Sequence, residues 1–205
     1  LFAKNRKVEY DNRDIALVNI RTNPDNQIFR AMDDDEDIRI LAEDIKRNGL
    51  MHNLVVFPEQ EEGSTVYVLL SGERRFRALN YLQEKGDATW NIVDCNVVTT
   101  PLSENEKKVL LYSANLQVRG GFSDEAIRRQ AIAEFITCLQ KEPYNMSKEE
   151  ALSATKSVST VNPRTIERDA RIEEKLKGKL KTLLNDKFLT RSECETYLRF
   201  EEDKQ

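Results

Sequence analysis

The spacing of apolar residues changes character about halfway along the chain. Up to residue 100, short runs with strand-like patterning alternate with runs of helical period. Ile15 to Ile20, Asn53 to Phe57, Val66 to Leu70 and Trp90 to Val98 read as strands. Ile38, Leu41, Ala42 and Ile45, and later Phe76, Leu79 and Leu82, recur at the intervals that line one face of a helix. Beyond Gly120-Gly121 the strand-like runs stop. Helices are predicted from Ser123 to Gln140, Ser147 to Ala154, Asn162 to about Lys175, Leu180 to Leu184 and Arg191 to Phe200. The pattern predicts an α+β chain, with a small mixed-sheet domain over residues 1–120 and an all-helical domain over residues 121–205.

Polar punctuation marks the ends of these elements. The acidic run Asp33 to Asp37 precedes the first helical pattern, where it favours the helix dipole, and Asn48-Gly49 supplies the stop. Thr22 to Asn26 reads as a turn and Glu59 to Ser64 as a polar, hairpin-like loop. Residues 1–14 are polar and are expected to be a frayed end or a short helix. Ser103 with Glu106 and Ser147 with Glu150 have the spacing of capping boxes, and Asn162-Pro163 places a cap before a proline suited to a first helical position.

Composition narrows the class. A charged fraction of 33% and a mean hydropathy of -0.63 predict a soluble, cytoplasmic protein, and no apolar run approaches the roughly 20 residues of a bilayer span. A chain that opens at Leu1 is expected to be part of a longer protein. Cys95, Cys138 and Cys194 are widely separated, a pattern that fits semi-buried thiols rather than a disulfide framework or a zinc site. The single histidine, His52, sits between a helix stop and a strand and reads as a loop residue. The net charge of -4 is not that of a general nucleic-acid binder, but basic residues exceed acidic ones between Arg164 and Lys181.

Two stretches carry candidate chemistry. In the first, the apolar run Val66 to Leu70 halts at Ser71-Gly72 and a helical pattern begins with Glu73-Arg74-Arg75-Phe76-Arg77. First-turn amides lack partners inside a helix and stand at its positive end, so this turn suits a phosphate. The spacing equally fits a charged surface helix whose arginines pair with nearby acids. In the second, a capped helix from Ser147 is followed by Lys156 to Val161 and a second capped helix from Asn162. That is the layout of a helix-turn-helix, in which Ile166 and Ala170 face inward while Asn162, Arg164, Thr165, Arg168 and Arg171 face double-stranded DNA. Helix pairs of this kind also occur as ordinary bundle packing.

Ser71-Gly72-Glu73-Arg74-Arg75-Phe76-Arg77-Ala78 resembles the Gly-Glu-Arg-Arg box of the ParB family of chromosome and plasmid partition proteins. Asn23-Pro24-Asp25-Asn26-Gln27, Leu41 to Leu50 and Asn115-Leu116-Gln117 resemble three further family motifs, in the family's order. The resemblance implies a ParB/sulfiredoxin-like N-terminal domain, a helix-turn-helix domain, and a clamp that closes a homodimer around DNA in response to CTP and Mg2+. Under it, Ser71, Gly72, Glu73, Arg74 and Arg75 hold the phosphates. Arg30 lies near them, Gln27 is the candidate catalytic residue, and Asn115 helps to place nucleotide and metal. A partition ATPase and a nucleoid or plasmid location follow from the same likeness. Three departures stand out: Ala114 replaces the family's metal-binding glutamate, a loss expected to weaken metal binding or hydrolysis, Val118 precedes Arg119, and Asn53 stands where proline usually follows the Gly-Leu turn. Any enzymatic activity is expected to be a weak CTP hydrolysis. The alternatives are a metal-dependent nuclease, for which no spaced carboxylate set stands out, and a DNA-binding module with no nucleotide switch. Glu73 at the position of the reactive cysteine of the related sulfiredoxins argues against that chemistry.

Overall fold

The computed structural model describes residues 7–30, 35–118 and 124–202. The chain divides into two compact units that meet between Leu111 and Tyr112. Asp33, Asp34, Arg119, Gly120, Gly121 and Ser123, all part of the sequence argument, lie outside the described residues.

The first unit holds a five-stranded mixed sheet. Its strands β1 (Tyr10–Ala16), β2 (Ile20–Arg21), β3 (Leu54–Glu61), β4 (Ser64–Ser71) and β5 (Ile92–Val98) lie in the order β1-β5-β3-β4-β2. β1 runs antiparallel to β5, β5 parallel to β3, β3 antiparallel to β4, and β4 parallel to β2. Tyr10 to Asp14, expected to be frayed or helical, form most of β1, with Tyr10 opposite Val98 and Asp14 opposite Asp94. These residues are exposed, and Asp11, Arg13 and Asp14 are charged, as suits an edge strand where charge deters pairing with other chains, so no apolar alternation marks it. The predicted strand Ile15 to Ile20 is split by a 3-10 turn at Leu17–Asn19. Most of the predicted loop 59–64 is strand: only Glu62 and Gly63 turn the chain, both with positive φ (48° and 82°), as a tight hairpin requires. Trp90 belongs to a 3-10 turn at Ala88–Asn91, capped by Asp87, and β5 starts after it.

Helices α1 (Gln27–Arg30), α2 (Asp35–Asn48) and α3 (Glu73–Glu84) follow the sheet's connections. Ile38, Ala42 and Ile45 of α2 and Phe76, Leu79 and Leu82 of α3 pack with Leu54, Val56, Leu69, Val93, Cys95 and Val97 into one apolar cluster. Each Val, Leu, Ile or Phe among them contributes about 1.5–3 kcal/mol by leaving water. Gly49, at φ 80°, ends α2 by donating its N–H to Ile45 O at 2.8 Å. α4 (Glu104–Val118) begins with the expected capping box: Ser103 N donates to Glu106 Oε2 at 2.8 Å and Glu106 N to Ser103 Oγ at 3.3 Å. Near its start Lys107 Nζ lies 4.2 Å from the centroid of the Phe57 ring and 3.1 Å from Glu59 Oε1.

The second unit takes in the end of α4 and, among its described residues, holds helices and no strand: α5 (Glu125–Gln140), α6 (Lys148–Val158), α7 (Pro163–Lys175), α8 (Gly178–Asn185) and α9 (Arg191–Glu202). α6 runs past the predicted end at Ala154 because Thr155 and Val158 continue its buried face. The Thr155 hydroxyl donates to Ala151 O at 2.7 Å, which lets a polar residue be buried there. All three cysteines are free and buried, and burial pushes the Cys95 thiol up to about 12. Among the described residues, no helix is long and apolar enough to cross a membrane.

Candidate functional site

Strand directions bring three connections to one end of the sheet in the first unit. β2 and β4 are parallel, so residues 22–26 and Gly72 both leave the sheet there, and β3, antiparallel to β4, enters from residues 49–53 at that same end. The register sets Ser71, half-buried at the end of β4, opposite Val55.

Gly72 is required twice over. Its φ of 105° lies in the left-handed region, and a Cβ there would meet Leu54 Cδ2 at 2.7 Å and Arg75 Nη2 at 3.2 Å. α3 starts directly after it, Phe76 N donating to Gly72 O at 2.8 Å, and no side chain caps this helix. Glu73 is buried in the first turn, where its charge favours the helix dipole. Arg74 is exposed, with Nη2 4.0 Å from Asp37 Oδ2, and Arg77 donates to Asp35 Oδ1 at 2.9 Å.

Arg75 has a local role that spacing alone does not reveal. Its Nη1 donates to the carbonyl oxygens of His52 and, at 2.8 Å, Asn53, tying the start of α3 to the loop that enters β3. Burial lowers the Arg75 pKa from its ordinary value. Asn53, one of the departures from the family pattern, donates from Nδ2 to Asp94 Oδ2 at 2.9 Å, and Asn12 Nδ2 donates to the same oxygen at 3.3 Å. His52 is an exposed loop residue.

The Asn-Pro segment forms a capped 3-10 turn at Pro24–Asn26, with Asn23 Oδ1 accepting from Asp25 N at 2.9 Å and both Asn23 and Asn26 buried. Gln27 is exposed at the start of α1, and the side chain of Arg30 lies outside the described residues. Asn115 and Ala114 are half-buried on the part of α4 that belongs to the second unit. Among the described residues, no three His, Cys, Asp or Glu side chains form a group that could hold a metal ion.

In the second unit α6 and α7 are joined by the four residues Ser159–Asn162. Both predicted caps are present. Ser147 N donates to Glu150 Oε2 at 2.8 Å and Glu150 N to Ser147 Oγ at 3.2 Å, while Asn162 Oδ1 accepts from Arg164 N at 2.9 Å ahead of Pro163. α7 buries Ile166, Asp169 and Ile172 and exposes Arg164, Glu167 and Arg168, with Thr165 and Arg171 half-buried. The inward position expected for Ala170 is taken by Asp169, and Ala170 is half-buried.

A fully buried aspartate needs a partner, and Arg128 Nε on α5 donates to Asp169 Oδ2 at 2.7 Å. Burial raises the Asp169 pKa, opposed by that bond and by the charges of Arg128, Arg191 and Arg129. Next along α5, buried Arg129 donates to Asn185 Oδ1 at 2.7 Å and lies 3.5 Å from Glu173 Oε1, whose other oxygen is 2.5 Å from Lys181 Nζ. These charges moor α7 to α5 and α8. On the exposed side, Lys156 of α6 pairs with Glu167, and Arg168 donates from Nε and Nη2 to the two oxygens of Glu195 on α9. Charged residues in helical sequence read as surface, so nothing in the pattern marked Asp169, Arg128, Arg129 or Glu195 for these roles.

Residues 3–105 match the sequence model of the family described as the ParB N-terminal domain. Among solved structures, a pNOB8-like ParB N-domain is similar at a TM-score of 0.63 and 11% identity, over 98% of this chain and 79% of that one. A second form, described as a pNOB8-like ParB-N domain, gives 0.55 and 10%, over 82% and 71%. The C-terminally truncated chromosome-partitioning protein ParB from Caulobacter crescentus, complexed with CTP-gamma-S, gives 0.42 and 18%, over 91% of each chain. No curated protein matches the sequence.

Proposed function

Because the chain belongs to the ParB family of partition proteins, we propose that it binds a specific double-stranded DNA site through α6 and α7 and that a nucleotide at the Gly72 turn controls its self-association. The observation that carries the DNA reading is the start of α7. A four-residue link, an Asn162 cap and Pro163 fix where the helix begins, and Arg164, Arg168 and Arg171 follow on one stripe opposite the buried Ile166, Asp169 and Ile172. A recognition helix needs those features to enter the major groove by its first turns. The link between α6 and α7 has the length usual for a helix-turn-helix. A homodimer reading two half-sites, and a partition ATPase as partner on a nucleoid or plasmid, complete the family reading.

For the nucleotide, the residues present fit phosphate. α3 opens without a side-chain cap at a glycine that admits no Cβ, and the exposed Arg74 lies in the first turn that follows. Arg75 is engaged with the His52 and Asn53 carbonyls and serves by holding the turn rigid. Magnesium fits less well, because Ala114 offers no ligand where the family has a carboxylate. The chain therefore binds CTP in this proposal, with no hydrolytic step at Gln27.

Titration calorimetry with CTP, ATP and GTP tests the switch. Heat with CTP that is lost in Arg74→Ala is expected, and no heat with any nucleotide in folded protein refutes it. Binding of the 205-residue chain to duplex DNA over a range of salt tests the other half. The expected result is weaker binding in the double variant Arg164→Ala/Arg168→Ala, with a shallower salt dependence.

A further inference from the structure

Arg168 differs from its neighbour one turn earlier in what holds it. Arg164 is exposed, its backbone N–H goes to the Asn162 cap, and among the described residues its guanidinium has no acid partner. Arg168 is gripped along one edge, with Nε and Nη2 both donating to the carboxylate of Glu195. The five N–H donors of a guanidinium form a fixed fork. When Nε and one Nη2 hydrogen are engaged side-on, the end-on pair, one hydrogen each from Nη1 and Nη2, remains available and cannot rotate away. That pair matches O6 and N7 of a guanine in the major groove.

Building on the DNA reading of α6 and α7, we propose that Glu195 is a positioning residue that locks the Arg168 guanidinium so that its end-on pair of N–H groups reads one guanine in the DNA site. Glu195 does not behave as a stand-in for a phosphate that DNA displaces. Its side chain is only 15% exposed, against 52% for Glu167, the acid that pairs with Lys156 on the same helix pair. Arg191 and Arg199 add their charges to that of Arg168 in stabilising its ionised form. A carboxylate held in this way stays in place when DNA arrives. A long side chain that is already ordered loses less entropy on contact with a base, which favours the correct base over the wrong one rather than DNA in general.

The experiment is selection of binding sites from a pool of randomised duplexes by the 205-residue chain, followed by affinities for the selected and an unselected duplex. Wild type is expected to enrich sites with an invariant guanine. Glu195→Gln is expected to lower the preference for guanine at that one position about tenfold, while binding to the unselected duplex strengthens because a negative charge is removed. Arg168→Ala erases the preference at the same position, and Glu195→Gln added to it causes no further loss. Circular dichroism of each variant checks that the helices remain, and a base preference at one position is not something that general destabilisation alters. The proposal is overturned if Glu195→Gln keeps the preference, or if it tightens both duplexes by the same factor, the mark of a blocking group. Enrichment that is unchanged in Arg168→Ala overturns this proposal and leaves the DNA reading standing. Enrichment of no sequence by wild type removes both.

Discussion

In the first unit the core between sheet and helices is a cluster of apolar side chains and Cys95, and α3 begins at a glycine with no side-chain cap. In the second unit guanidinium and carboxylate groups are buried against one another beside a smaller apolar cluster, and α5, α6, α7 and α9 each open on a side chain that closes the first turn, Asp124, Ser147, Asn162 and Thr190, as Ser103 does for α4, while α8 opens without one. The contrast separates two uses of polar groups. Where a helix start is closed by its own sequence, the polar group serves the fold and fixes where the helix lies. Where it is open, as at Gly72, the amides keep their capacity for a partner from outside.

The largest expected effect falls on the buried charges. Asp169→Ala leaves Arg128 buried without its carboxylate, and urea unfolding is expected to show the second unit about 3–5 kcal/mol less stable. Arg128→Met/Asp169→Leu, which removes both charges, is expected to recover most of that loss. If the single variant costs no more than a surface substitution, the contrast between the two cores fails. Next comes Gly72→Ala. A side chain at φ 105° facing Leu54 is expected to cost the first unit roughly 1–3 kcal/mol and to abolish nucleotide binding, as read by melting temperature and calorimetry. Retained binding would show that the open start is not the ligand's seat.

The smallest effect is on pH dependence. Thr190 hydrogen bonds hold the Glu193 carboxyl below the ordinary value of 4.5, and the Arg168 hydrogen bond does the same for Glu195. A carboxylate with a depressed folded pKa stabilises above the unfolded value, and that contribution is lost as the pH falls through the folded one. Melting of the second unit is therefore expected to decline with acidification below about 4.5, and Glu193→Gln/Glu195→Gln is expected to flatten the decline. Raised by burial, Asp169 acts with the opposite sign: the folded state takes up its proton more readily than the unfolded chain, so acidification through its pKa offsets part of the loss.

Features written into neighbouring residues were legible in the sequence. The Gly72 turn, the boxes at Ser103 and Ser147 and the cap at Asn162 depend on residues a few positions apart, and their hydrogen bonds are present in the structure. What could not be read depends on partners far along the chain. β1 looks like a polar tail because its complement is β5, and the bonds from Arg75 to the carbonyls of residues 52 and 53 leave no mark in its own stretch of sequence. Asp169 looks like a surface charge until Arg128 is beside it.

The order of strands also sets an order in time. β3 and β4 are joined through Glu62-Gly63 and can zip as soon as both exist, on the microsecond scale typical of hairpins. Among the described strands β1 pairs with β5, made after β3 and β4, so Tyr10 has no partner strand until Val98 has been synthesised. The nascent sheet therefore grows outward from its middle hairpin, and β1 waits for β5, its charged edge deterring stray pairing meanwhile.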